Sequence, residues 1–128
     1  MKATELMQGD LVLYEYSGEK IHARVVEIYR SSALVESVSK EYEPIEIAED
    51  KLFPVALTPE ILEKNGFRHG CYVGGYYSPD CPFRVFTKTE GKCGFTTLFD
   101  DEIHFSCVFV HELQHALRLC GIEKEIIL

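Results

Sequence analysis

The sequence lacks the features that mark several common protein classes. No apolar run approaches the length that spans a bilayer, and no apolar signal core follows Met1, so we expect a cytoplasmic protein that does not bind membranes. No glycine-rich phosphate loop, nucleophile elbow or recognisable set of serine, histidine and aspartate appears. These absences disfavour membrane proteins, P-loop nucleotide-binding proteins and serine hydrolases.

Basic residues are also few, since 13 Lys and Arg stand against 21 Asp and Glu. The acidic residues concentrate in the first half of the chain, and five of them form one acidic group: Glu41, Glu43, Glu46, Glu49 and Asp50. This group would repel a phosphate backbone, because affinity for nucleic acid depends on Lys and Arg. We therefore expect no direct nucleic-acid binding and interpret the group as a solvated strand edge. An inhibitor that mimics nucleic acid is the alternative.

The cysteines do not form a recognisable framework. There are five of them, at wide and irregular spacings: Cys71, Cys81, Cys93, Cys107 and Cys120. An odd number of scattered cysteines is typical of free thiols in a reducing compartment rather than of disulfides or a zinc ribbon. We expect them to be small core residues.

Residues 1–57 are predicted to form a small barrel. Alternating apolar residues predict four strands, at 10–16, 21–29, 33–38 and 44–47. Short strands at near-regular spacing, opened by Gly9-Asp10, are typical of an SH3-like barrel. Barrels of this kind usually bind partners rather than catalyse, an inference that rests on fold analogy.

Residues 58–128 are predicted to form a second subdomain that begins with a short helix. Thr58 is suited to the N-cap, Pro59 to the first helical position and Gly66 to a left-handed stop. Turn residues then separate aromatic-rich segments, which predict a meander of four strands at 71–77, 83–88, 93–99 and 102–107. A helix at 109–120 and a final strand at 122–128 complete an α+β fold, in which the aromatic residues fill the space between sheet and helix.

One motif in the last helix is typical of a metal-dependent hydrolase. In His111-Glu112-Leu113-Gln114-His115, the two histidines are four residues apart and could hold zinc, with Glu112 as the general base. Drawn at 100° per residue, however, His111 and His115 fall nearly opposite the apolar stripe of the helix. We therefore expect both imidazoles in solvent and interpret the motif as a surface coincidence. The alternative is a shallow cleft on that face, because Val108 and Leu119 project near the histidine side and favour partial cover by another segment.

A catalytic zinc of this kind also needs a third protein ligand. The extended form of the motif fails, because Arg118 and Gly121 stand where glycine and histidine would follow. The remaining candidates are scattered upstream and downstream: Asp100, Asp101, Glu102, His104, Glu123 and Glu125. Nothing in their spacing requires any of them to join the two histidines.

Three segments resemble a group of small uncharacterised proteins from gut anaerobic bacteria and their phages and conjugative elements. The segments are MKATELMQGDLV (1–12), LTPEILEKNGF (57–67) and VHELQHALRLCGIEKEI (110–126). Relatives in this group commonly have Val-His-Gln-Leu-Gln at the final helix, so the resemblance implies that Glu112 is not needed for catalysis. No activity, cofactor or site residue is implied for this chain.

These observations favour a phage- or mobile-element-type accessory protein that binds another protein without catalysis, through the barrel or the aromatic hairpins. No cofactor is expected. The alternative is a zinc-dependent hydrolase with His111 and His115 as ligands, Glu112 as general base, and a third ligand among Glu102, His104 and Glu123.

Overall fold

The computed structural model describes residues 1–69, 75–78, 81–87, 95–99 and 103–128. The chain divides into two compact units, Met1–Val55 and Ala56–Leu128. The α+β class is confirmed, because both units are built on antiparallel sheets and the second also carries two α-helices. The division into subdomains at residues 1–57 and 58–128 stays a prediction.

The first unit is a five-stranded antiparallel sheet with the strand order β4-β3-β2-β1-β5. The strands are β1 (Leu11–Tyr16), β2 (Glu19–Ile28), β3 (Ser32–Ser37), β4 (Ile45–Ala48) and β5 (Leu52–Pro54). Short 3₁₀ turns occupy Ala3–Glu5 and Glu49–Lys51. The four strands expected from alternation are confirmed to within two residues. Strand β5 was not predicted, because it has only three residues and ends in a proline.

One face of this sheet forms a hydrophobic core. Alternate residues of each strand point to this face, as the period of two requires. The buried residues are Leu6, Val12, Tyr14, Ala23, Val25, Ala33, Val35, Ile47 and Leu52. The sheet curls around this core. Strands β2 and β3 lie between β1 and β4 in the sheet, yet residues of β1 and β4 line the same pocket.

Two carboxylates of the first unit bind backbone amides. The Asp10 side chain is fully buried, and its Oδ2 accepts a hydrogen bond from Met7 N at 2.8 Å. Glu49 Oε2 accepts from Ala3 N at 3.0 Å. The acidic group was expected to be a solvated edge, which is correct for the exposed Glu41, Glu43, Glu46 and Asp50 but incomplete for the half-buried Glu49.

The second unit combines a second antiparallel sheet with two helices. Its elements are α1 (Pro59–Lys64), β6 (Arg68–His69), β7 (Gly75–Ser78), β8 (Cys81–Thr87), β9 (Phe95–Phe99), β10 (Ile103–Cys107) and α2 (Val110–Leu119). The strand order β10-β9-β8-β7-β6 is the predicted meander with one short strand added. No helix within the described ranges is long and apolar enough to cross a membrane.

The first helix, α1, begins and ends at residues suited to those positions. Thr58 Oγ1 accepts a hydrogen bond from Ile61 N at 3.3 Å, as predicted for an N-cap. After α1, Gly66 N donates to Glu63 O and Phe67 N donates to Leu62 O, the hydrogen-bond pattern of a Schellman motif. Gly66 has φ of 86°, a backbone conformation that glycine adopts without a Cβ penalty.

The final strand predicted at 122–128 is wrong. These residues have no regular secondary structure, and Ile127 binds the side chain of Asn65 instead of a sheet edge. Asn65 supplies both a donor and an acceptor, so a single amide side chain takes the place of a neighbouring strand. The apolar pattern of this segment reflects the burial of Ile126 rather than pairing in a sheet.

Candidate functional site

The helix that carries the His-Glu-x-x-His motif begins where predicted, and the motif lies in its first two turns. Val110, Leu113 and Leu117 are buried, in agreement with the apolar stripe. The expected solvent exposure of both imidazoles is wrong for His111, which is 6% exposed, whereas His115 is half-buried. The buried face of this helix is wider than the apolar stripe, since it also includes His111 and Gln114. The rings of Phe109 and His111 are stacked, with their centroids 5.9 Å apart.

Glu112 has a structural contact that its place in the motif did not reveal. Its Oε1 accepts hydrogen bonds from Val108 N and Phe109 N, both at 2.9 Å. These amides lie at the helix start, where the first N–H groups have no partner within the helix. A glutamate at the third helical position that binds the N-cap amide forms half of a capping box. Phe109 has no side-chain acceptor for the other half.

The two imidazoles nevertheless lie close to each other. The ring centroids of His111 and His115 are 5.6 Å apart, and the rings meet edge to face. Within the described part of the chain, no group of three or more His, Cys, Asp or Glu residues could hold a metal. Glu123 is exposed, while the side chains of Asp100, Asp101, Glu102 and His104 lie outside the described residues.

Two of the five cysteines, Cys107 and Cys120, have described side chains. Cys107 is buried and Cys120 is half-buried, and neither forms a disulfide. Both are thiols, as predicted. Cys71, Cys81 and Cys93 lie outside the described side chains.

A second candidate site, in the first unit, did not emerge from the sequence. It is a pocket of about 240 Å³ at one end of the core of the curled sheet. We call it the tyrosine pocket, and it is lined by Tyr14, Tyr16, Tyr42, Glu43, Pro44 and Ile45. Three tyrosines, one proline and one carboxylate on a small concave surface are an unusual concentration of groups used in recognition.

Strand β1 supplies the floor and one wall of the tyrosine pocket. Tyr14 and Tyr16 are two residues apart, so they point to the same face of the sheet. Tyr14 is 1% exposed and belongs to the core, whereas Tyr16 continues the same row beyond the core and is 47% exposed. Burial, with smaller contributions from the neighbouring Tyr42 and Tyr16 phenols, raises the pKa of Tyr14 above its usual value.

The loop between β3 and β4 supplies the opposite wall. The buried Ser37 organises this loop, because its carbonyl accepts from Lys40 N at 3.0 Å and its hydroxyl accepts from Tyr42 N at 3.3 Å. Tyr42 is thereby held against Tyr16, with the ring centroids 6.1 Å apart and the ring planes tilted by 55°. Two exposed aromatic rings therefore lie next to each other at the mouth of the pocket.

The signal for this pocket was present in the sequence but weak. Tyr14 and Tyr16 share a strand face, and Tyr42-Glu43-Pro44 lies about 26 residues further along. Only the curl of the sheet brings the two segments together, and strand alternation does not encode that curl. Aromatic residues were expected to matter chiefly after residue 67, where most of them occur.

Comparisons with known proteins identify no relative: no family model matches the chain, and neither a curated protein nor a solved structure is significantly similar to it. The function is therefore inferred from the geometry of the two candidate sites.

Proposed function

We propose that this protein is a non-catalytic protein-binding module, an accessory protein of phage or mobile-element type that acts in the cytoplasm. Its first unit is an SH3-like barrel whose tyrosine pocket contacts the protein partner, without direct binding to nucleic acid or membranes. The observation that carries this proposal is the tyrosine pocket itself, where two exposed rings lie next to each other at the end of a buried core.

The size of the pocket favours a protein partner over a free small molecule. Pockets for drug-sized ligands are about 300–1,000 Å³ and bury most of the ligand. The tyrosine pocket has about 240 Å³ and is open to solvent, which suits one side chain of a larger partner. Tyrosine is also enriched at protein interfaces, because it buries much apolar area at a low cost in conformational entropy.

The role of Glu112 also favours binding over hydrolysis. A general base must reach the water bound to the metal. The Glu112 carboxylate instead binds two backbone amides at the start of its own helix. This contact gives Glu112 a sufficient structural reason to occupy its position, so the motif needs no catalytic explanation.

The second candidate function is a zinc-dependent hydrolase, and one observation favours it. The 5.6 Å between the ring centroids of His111 and His115 is compatible with two ligands of one ion, since each Zn–N distance is about 2.0–2.1 Å. This candidate requires a third ligand, for which His104 and Glu102 are the upstream possibilities and Glu123 the downstream one. It also requires Glu112 to leave its two amides.

Affinity capture with matched variants tests the proposed function. The wild-type chain, the double variant Tyr16→Ala/Tyr42→Ala and the control Tyr29→Ala are each used on lysate of the cells that produce the protein. Tyr29 and Tyr42 are equally exposed, at 42%, so the control removes the same aromatic surface elsewhere. We expect one protein to be captured stoichiometrically by the wild type and by Tyr29→Ala but not by the double variant.

Two outcomes contradict the proposal. If the double variant captures the same protein as the wild type, the tyrosine pocket is not the binding surface. If no protein is captured and the pure chain converts a small molecule, the chain is an enzyme and the hydrolase candidate replaces the binding module.

A further inference from the structure

We infer that the tyrosine pocket recognises an arginine side chain of the protein partner. This inference rests on the proposed function and names the chemistry of its ligand. It follows from the kinds of side chain in the pocket, from the charge around it and from the angle between its two exposed rings.

The aromatic walls favour a cation. Faces of tyrosine rings attract ammonium and guanidinium groups placed within about 6 Å of the ring centroid. The chain already makes such a contact elsewhere, since Lys20 Nζ lies 4.4 Å from the centroid of the Phe53 ring. At the mouth of the tyrosine pocket, the rings of Tyr16 and Tyr42 are both exposed at 6.1 Å from each other, so one cation can approach both.

The charge of the pocket has the complementary sign. Glu43 is the one charged residue that lines it, and it is exposed. The loop of residues 38–44, which forms this wall, carries a single base, Lys40, against the two acids Glu41 and Glu43. An anionic or phosphorylated ligand would meet repulsion at this surface, whereas a cationic side chain is attracted to it.

Arginine fits these groups better than lysine does. A guanidinium stacks flat on one aromatic face while its N–H groups pair with a neighbouring carboxylate, and it gives up its hydration more readily than an ammonium does. Tyr42 and Glu43 are adjacent and line the same pocket, so they can provide the ring and the carboxylate together. A guanidinium stacked on Tyr42 would lie at 55° to the plane of the second ring, Tyr16.

The remaining lining residues suit the rest of an arginine side chain. Pro44 and Ile45 are apolar, and Tyr14 forms a buried aromatic floor. The methylene stem of arginine packs on apolar surface while its charged end stays near solvent. The pocket thus presents apolar contacts in its interior and a carboxylate with two rings at its mouth.

Titration of the ¹⁵N-labelled full chain by NMR, with short capped peptides as probes, tests the inference. The probes are Ac-Gly-Gly-Arg-Gly-Gly-NH₂ and the same peptide with lysine or with neutral citrulline at the centre. We expect the arginine peptide to shift the amides of residues 14–16 and of Tyr42, Glu43 and Ile45, and to bind several-fold more tightly than the lysine and citrulline peptides.

Substitutions assign the affinity to the pocket. Tyr16→Ala and Tyr42→Ala should each weaken the arginine peptide about two- to fivefold, the effect of one exposed cation–π contact. Glu43→Gln should reduce the preference for arginine over citrulline, and the two rings should retain the remainder. Tyr29→Ala, which removes an equally exposed ring elsewhere, should change nothing.

The outcomes separate this inference from the proposed function. Equal affinity for the arginine and citrulline peptides, or no saturable binding of the arginine peptide, overturns the arginine assignment. A tighter lysine peptide assigns the pocket to an ammonium ligand and also overturns it. The proposed function is judged separately, by whether the Tyr16→Ala/Tyr42→Ala variant loses the captured protein.

Discussion

Asn65 binds the backbone of Ile127 through both ends of its side-chain amide. Nδ2 donates to Ile127 O at 2.8 Å, and Oδ1 accepts from Ile127 N at 2.7 Å. Nδ2 also donates to Ile61 O at 2.7 Å, so the same amide ties the end of α1 to the segment after α2. Asn65 is 8% exposed, so this contact is largely shielded from solvent. It explains why residues 122–128 hold a fixed path without joining the sheet.

Removing this amide should destabilise the second unit. We expect Asn65→Ala to lower the free energy of unfolding by about 1–3 kcal/mol, because it leaves the N–H and C=O groups of Ile127 without their side-chain partner. Asn65→Asp keeps the acceptor for Ile127 N but loses both donors, so its effect should also be destabilising. Urea denaturation measures the loss, and hydrogen exchange at the Ile127 amide localises it. Glu63→Ala, an exposed change on α1, is the matched control, and equal stability of the two alanine variants would contradict the role of Asn65.

Glu112 offers a test that separates capping from catalysis. Glu112→Ala should cost about 1 kcal/mol of stability, the usual effect of losing a cap. Glu112→Gln retains a side-chain oxygen that can accept from Val108 N and Phe109 N, so its loss should be smaller. Thermal and urea unfolding provide the comparison. If Glu112 were only a catalytic base, both variants would keep full stability and both would lose a measurable hydrolytic activity.

Elemental analysis addresses the histidine pair directly. We expect the untagged chain, purified without chelator, to contain far less than one zinc per chain. His111→Ala should be clearly destabilising, because it removes a buried ring that stacks on Phe109, whereas His115→Ala should have a small effect. Stoichiometric zinc that both substitutions abolish would support the hydrolase candidate.

Tyr14 predicts a loss of stability at alkaline pH. Burial raises its pKa in the folded state above the value of about 10 in the unfolded chain, so the unfolded state loses the proton first. The stabilisation linked to the neutral phenol is therefore complete below pH 10 and decreases as the pH rises further. Tyr14→Phe should flatten this decrease. It should not remove the decrease entirely, because a hydrogen bond with Glu27 raises the pKa of Tyr29 as well.

Unfolding curves between pH 8 and 11 for the wild type, Tyr14→Phe and Tyr29→Phe measure both contributions. If Tyr14→Phe follows the wild-type decrease above pH 10, the buried phenol is not the titrating group.

The local structure was largely predictable from the sequence, because local signals encode it. Thr58, Pro59 and Gly66 mark the ends of α1 by capping and backbone conformation, and the structure confirms each of them. Strand alternation located the strands of the first unit to within two residues. The helix expected at 109–120 is found at Val110–Leu119.

The features that the sequence did not reveal depend on contacts between distant segments. Residues 122–128 bind the side-chain amide of Asn65 instead of the edge of a sheet. The pattern of apolar residues in this segment does not distinguish these two arrangements. His111 is the local exception: it is buried although it projects nearly opposite the apolar stripe, and its ring stacks on the neighbouring Phe109. The tyrosine pocket exists only because the sheet curls, so that Tyr42 meets Tyr16 across two intervening strands.

Site-specific photocrosslinking tests directly whether the tyrosine pocket contacts a protein partner. A photoreactive phenylalanine analogue replaces Tyr42 in one sample and the equally exposed Tyr29 in another, and both chains are irradiated in the cells that produce the protein. We predict a single covalent adduct with another protein from position 42 and none from position 29. Equal adducts from both positions, or no adduct from position 42, would contradict a role of the tyrosine pocket in binding a protein partner.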